Sequence, residues 1–113
     1  MLVVLLLLAA PPTFAQQAPD TLNEQQRQGR SMLGQSCGVC HLPPARNAKP
    51  YGPVLSKTTL GGDNALMRKV ILEGTPRMPG FKYSLQPAEV DAIIAYVRTV
   101  STPSAAPAGD AAR

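Results

Sequence analysis

Apolar residues are distributed along this chain in two ways. From Leu2 to Ala10 they are continuous, whereas beyond Gln16 they recur at helical spacing between prolines and glycines. The clearest periodic segment follows Pro87. Val90, Ile93, Ile94, Val97 and Val100 recur at i, i+3, i+4, i+7 and i+10, which is one face of an amphipathic helix. Pro87 suits the first helical position and Glu89 places negative charge in the first turn. The pattern predicts that this helix ends near Thr99 to Thr102. A second helix is predicted over Asn64–Glu73, capped by Asp63 or Gly62 and stopped by Gly74, with Leu66, Val70 and either Met67 or Ile71 on its apolar face. A third, Thr21–Gln35, is polar and helix-friendly. Asp20 or Thr21 can cap it, with Glu24 in the first turn. Gly29 inside it costs about 1 kcal/mol against Ala, so a close packing contact is expected there.

Two stretches between these helices are irregular. Pro43, Pro44, Pro50 and Pro53 exclude regular structure from Leu42 to Lys57, and Pro76 and Pro79 do the same between Thr75 and Phe81. No segment alternates with a period of two. The expected fold is therefore all-α: three helices, with a short fourth before Gly61, joined by proline-rich loops.

The ends of the chain read differently. Residues 1–15 combine a short apolar run with Pro11-Pro12-Thr13-Phe14-Ala15, the pattern of a cleaved signal peptide, although no basic residue precedes Leu2. The run is well short of the about 20 residues a membrane-spanning helix needs. An uncleaved leader would instead be a membrane anchor. The expected division is a signal peptide over 1–15, a domain over 16–100, and a disordered Ala/Pro-rich tail over 101–113. Export of this kind implies a periplasmic location.

Composition points to a missing apolar component. The 113 residues include only 4% aromatic residues and no Trp, a poor basis for a core in so small a domain. A buried apolar cofactor would supply that volume. The net charge of +4 is scattered rather than clustered, with little aromatic interleaving. Nucleic acid is not an expected partner. A cationic face for an acidic protein partner fits the balance, as does an ordinary solvated surface.

Candidate chemistry concentrates in Cys37-Gly38-Val39-Cys40-His41. These are the only two cysteines and the only histidine in the chain. The spacing reads as covalent haem attachment: each thiol adds across one vinyl group, and the adjacent imidazole faces the iron. The alternatives are weaker. A disulfide here would close a tight loop and staple little. A dithiol redox motif is expected in a βαβ setting. A structural zinc site wants four ligands, and three are present. One haem c, bound through Cys37 and Cys40 with His41 as an iron ligand, uses every such residue.

A second histidine ligand is excluded, which leaves a Met, a Lys, a Tyr or an open site. Met32 stands five residues before Cys37, on the attachment side, and Met67 reads as core filler. Met78 lies in a loop between Pro76 and Pro79, distant enough to reach the opposite face, and is the favoured ligand.

Taken together, Gly29, Cys37-Gly38-Val39-Cys40-His41, Gly52-Pro53-Val54-Leu55, Met78-Pro79-Gly80-Phe81 and Tyr96 resemble, in that order, the class I c-type cytochromes, the small monohaem cytochromes of bacterial periplasms. The likeness runs from Leu22 to Val100. It implies a cytochrome c-like fold wrapped around one haem, with His41 and Met78 as the metal ligands. It implies that the Pro53 carbonyl accepts a hydrogen bond from the His41 imidazole, that Leu55 packs on the haem, and that Gly29 lets the first helix cross the last against Tyr96. It also implies electron transfer rather than enzymatic turnover, with a donor dehydrogenase and an acceptor oxidase or cytochrome as redox protein partners. The protein would then be a monomer or a dedicated haem subunit of a larger oxidoreductase, such as a quinoprotein dehydrogenase. An open-iron enzyme or gas sensor would require Met78 not to bind. Two features depart from the family: Leu33 stands where many relatives carry an aromatic residue, and Tyr51 or Tyr83 would have to replace a Trp used near a haem propionate.

Overall fold

The computed structural model describes residues 20–43 and 48–103. The signal peptide expected over 1–15 and most of the tail, 104–113, lie outside the described residues. Within them the chain is helical: α1 (Glu24–Ser36), α2 (Gly38–His41), a 3₁₀ turn (Thr59–Gly62), α3 (Asn64–Glu73) and α4 (Pro87–Val97). No strand forms among the described residues, in agreement with the all-α expectation. No described helix is long and apolar enough to cross a membrane.

The first helix starts later than its polar pattern predicts. Asn23, not Asp20 or Thr21, is the N-cap. Its side chain accepts from the Gln26 N–H at 2.9 Å, and the Gln26 side chain accepts from the Asn23 N–H at 2.9 Å. This reciprocal box satisfies two backbone donors at once, which a cap at Asp20 would not. Asp20 instead accepts from the Leu22 N–H and pairs with Arg30 at 2.9 Å. Asn23→Ala removes one arm of the box. The holoprotein is expected to lose about 1 kcal/mol of stability, a fall of about 4–8 °C in the thermal midpoint measured by circular dichroism.

The core sits between α1, α3 and α4. Leu33, Met67, Ile71, Leu85, Val90, Ile93, Ile94 and Val97 are buried. Gly29 marks the crossing of α1 over α4. A Cβ placed there would stand 1.8 Å from the Ala92 carbonyl oxygen, so the backbones touch. The crossing point is thus Ala92, one turn before Tyr96, which is half-buried against the same core.

Two further details differ from the periodic reading. In α3, Met67 and Ile71 turn into the core while Leu66 is 43% exposed. The apolar residues span more than one face, so spacing alone leaves the rotation of this helix open. Helix α4 stops at Val97. The next N–H groups bond in tighter steps, Thr99 to the Tyr96 carbonyl and Val100 to that of Val97. The Val100 carbonyl then accepts from the Lys57 N–H at 2.8 Å. Arg98 completes this junction, donating to the carbonyls of Lys57 at 2.9 Å and Thr59 at 3.0 Å and to the Asn64 side chain at 2.8 Å. It braces a turn in which Leu60 takes a left-handed conformation (φ 54°), which a non-glycine residue seldom adopts.

Candidate haem-binding cleft

Cys37 terminates α1 and is buried, and the single turn of α2 follows directly. The Cys40 and His41 N–H groups both donate to the Cys37 carbonyl, at 3.1 and 3.0 Å. One turn therefore carries two thiols and an imidazole, and both cysteines are free. Burial, with a smaller contribution from neighbouring Cys40, pushes the Cys37 thiol above its ordinary value.

The 48–56 loop braces the imidazole. His41 Nδ1 lies 2.8 Å from the Pro53 carbonyl oxygen, so Nδ1–H donates there, which in the neutral ring leaves the Nε2 lone pair available. The Gly52 N–H donates to the Cys40 carbonyl at 2.7 Å, which binds this loop to α2. A Cβ at Gly52 would lie 2.8 Å from His41 Cε1, so only glycine lets the ring lie against the loop. Gly52 belongs to the Gly52-Pro53-Val54-Leu55 motif, and this role is additional to those the motif implies. A glycine directly before a proline, in the loop that holds the histidine, was the available signal.

Met78 is held by a separate loop. Helix α3 stops at Gly74 (φ 77°), where a Cβ would meet the Met78 carbonyl oxygen at 2.5 Å. Thr75 and Met78 then exchange backbone bonds of 2.8 and 3.1 Å, with Pro76 and Arg77 at the corners of the turn. Beyond it, the N–H groups of Phe81 and Lys82 donate to the Ile71 and Leu72 carbonyls at 2.9 and 3.2 Å. These are last-turn carbonyls of α3 that lack helical partners, so the Met78 loop is fastened to the end of that helix.

Cys37, Cys40, His41, Pro53, Leu55 and Met78 all line one cleft of about 430 Å³. Its walls are completed by Met67, Val70, Ile71, Phe81, Ile93 and Val97, and Arg77 and Tyr51 stand at it as well. Met67 is thus both core and cleft wall. Tyr83 is 93% exposed and outside the cleft, and so is Met32, packed against the core. Behind His41, a smaller apolar groove of about 200 Å³ runs past Leu33 and Tyr96. It occupies the region where a larger residue in place of Leu33 would pack.

These residues fit a haem. The cleft is apolar, two free thiols stand on one of its walls, an imidazole with an available Nε2 stands beside them, and a thioether is held on a separate loop. No group of three His, Cys, Asp or Glu side chains is placed to hold a bare metal ion among the described residues.

Comparison with known proteins agrees. Among solved structures, the dihydro-heme d1 dehydrogenase NirN in complex with DHE is similar, at 33% sequence identity and a TM-score of 0.53 over 68% of this chain. The chain spans 17% of the length of that protein. No curated protein matches. The model of the family described as cytochrome C oxidase, cbb3-type, subunit III matches residues 24–97. With that match over most of its length, a cytochrome c-like fold and a cleft suited to haem, the chain belongs to this family of class I c-type cytochrome domains.

Proposed function

We propose that this protein is a periplasmic carrier of single electrons, holding one haem covalently through Cys37 and Cys40 with His41 and Met78 as axial ligands. The observation that carries this reading is the pair of separately braced residues, His41 and Met78, lining the same apolar cleft. The bound haem supplies a one-electron iron couple. The chain supplies what tunes it. The Pro53 carbonyl orients the imidazole and makes it a stronger donor. A Met78 thioether favours the reduced state and raises the potential. With His41 and Met78 both holding the iron, no site would remain on it for a substrate, and the apolar walls would surround the haem. Cys37 and Cys40, both free, would hold the haem through thioethers formed by addition of each S–H across a vinyl group, which needs no oxidant.

The scattered positive charge suits acidic faces on a donor dehydrogenase and on an acceptor oxidase or cytochrome. A second reading has its own support. The family is described as an oxidase subunit, and the NirN structure contains a similar region as 17% of a larger dehydrogenase. On that reading the chain is a dedicated haem subunit of a periplasmic oxidoreductase, with a permanent partner.

Mass spectrometry of the protein purified from its native host tests the proposal. The expected mass is that of residues 16–113 plus one haem, with no loss of haem on acid extraction. A mass equal to the polypeptide alone would refute it. Co-purification with a stoichiometric partner would favour the subunit reading over the free carrier.

A further inference from the structure

The loop that braces His41 and the loop that carries Met78 are fastened to different helices. Among the described residues no backbone hydrogen bond or ion pair joins 48–56 to 75–82. One contact does span them. The Arg77 guanidinium lies over the Tyr51 ring, 4.9 Å from its centroid. Arg77 is the residue before Met78, and Tyr51 stands two residues before Pro53, whose carbonyl holds His41.

We propose that Arg77 and Tyr51 form a clasp across the cleft that keeps Met78 opposite His41, and so are positioning residues for the iron ligand. The inference rests on the reading of Met78 as an axial ligand. Contacts then run without a break from His41 to Pro53, through the backbone to Tyr51, across the cation–π contact to Arg77, and on to Met78.

Three observations favour a bridging role over ordinary surface decoration. First, both residues line the cleft. Second, no carboxylate pairs with Arg77 among the described residues, so its charge is directed to the ring face. Third, the chain contains a similar pair that bridges nothing: Lys82 over Tyr83 at 4.8 Å involves sequence neighbours and lies outside the cleft. The clasp is also suited to moderate control. A face-on guanidinium at an exposed site is a weak contact, so it biases the loop spacing without locking it.

The test uses the holoprotein and two readouts. One is the rate at which carbon monoxide binds the ferrous protein, which requires Met78 to leave the iron. The other is the temperature at which the weak far-red absorption of thioether-bound ferric iron disappears, compared with the loss of helix by circular dichroism. Tyr51→Leu and Arg77→Gln are each expected to speed carbon monoxide uptake about two- to fivefold. Both should lose the far-red absorption at lower temperature while helix loss stays in place. The double variant should match either single, because both substitutions remove one contact. Tyr51→Phe keeps the ring but removes the hydroxyl whose hydrogen bond pushes Arg77 above its ordinary value, and should fall between the parent and Tyr51→Leu. Unchanged rates in both single variants, additive effects in the double, or a parallel shift in helix loss would overturn the clasp. If the unsubstituted protein lacks the far-red absorption, Met78 ligation itself fails and the clasp with it. An intact parent with unaltered variants removes the clasp alone.

Discussion

Met78→Ala is expected to turn a closed haem into one that binds carbon monoxide at once in the ferrous state, with the far-red thioether absorption absent. Its reduction potential should fall. Axial ligands move haem potentials over a range of about 0.8 V, so loss of a thioether should lower it by on the order of 0.1 V or more. The substitution should leave the fold intact. Thr75 and Met78 are joined through backbone atoms, and the Phe81 and Lys82 bonds to α3 do not involve the Met78 side chain. A potentiometric titration alongside carbon monoxide difference spectra checks both effects. An unchanged potential with no carbon monoxide adduct would remove Met78 from the iron and reopen the choice of ligand.

Gly29→Ala is expected to be the most damaging small substitution in α1. The added methyl carbon would sit 1.8 Å from the Ala92 oxygen and 2.4 Å from its carbonyl carbon, and both belong to the backbone of α4. No rotamer change relieves such a clash, and the helices must separate. Ala gains about 1 kcal/mol over Gly in helix propensity, but overpacking costs about 1–3 kcal/mol even where side chains can give way. A net loss of about 2 kcal/mol or more follows, a large share of a small domain's stability. Gly34 provides the contrast in the same helix. It is exposed and nothing lies within 4 Å of a Cβ built there. Gly34→Ala should therefore gain about 0.5–1 kcal/mol. Denaturant unfolding of the two holoprotein variants checks the opposite signs. A Gly29→Ala variant as stable as the parent would mean that the helices do not meet at this point.

The sequence was most legible where residue types are scarce. With two cysteines and one histidine, the spacing of Cys37, Cys40 and His41 leaves little choice of chemistry, and Met78 stands apart from the other methionines by its flanking prolines. Helix α3 is bounded by Asp63 and Gly74 as its capping residues predict. Legibility fell where signals overlap. Asp20, Thr21 and Asn23 are all competent caps, and only the reach of Gln26 back to Asn23 decides among them. The rotation of α3 was hidden because Leu66, Met67, Val70 and Ile71 offer two apolar faces, and tertiary neighbours choose one. The left-handed Leu60 and the Arg77–Tyr51 contact depend on chain segments distant in sequence, which no local pattern encodes.

The crossing of α1 at Ala92 also bears on the order in which the protein assembles. It joins the two ends of the domain, closing about 60 residues of chain, and such a closure costs only a little more than a much shorter one because its entropy grows logarithmically. Gly29, Leu33, Val90 and Ile94 meet there without lining the cleft, so this contact needs no cofactor to form. Cys37 is the next residue after α1 and is fixed by the same docking. The first thiol thus stands at the end of a helix whose docking involves no cleft-lining residue of α1 but Ser36, whereas the loops carrying Pro53 and Met78 have apolar faces that a haem would cover. The attachment edge of the cleft is therefore the part of the site that the helix pair itself holds in place.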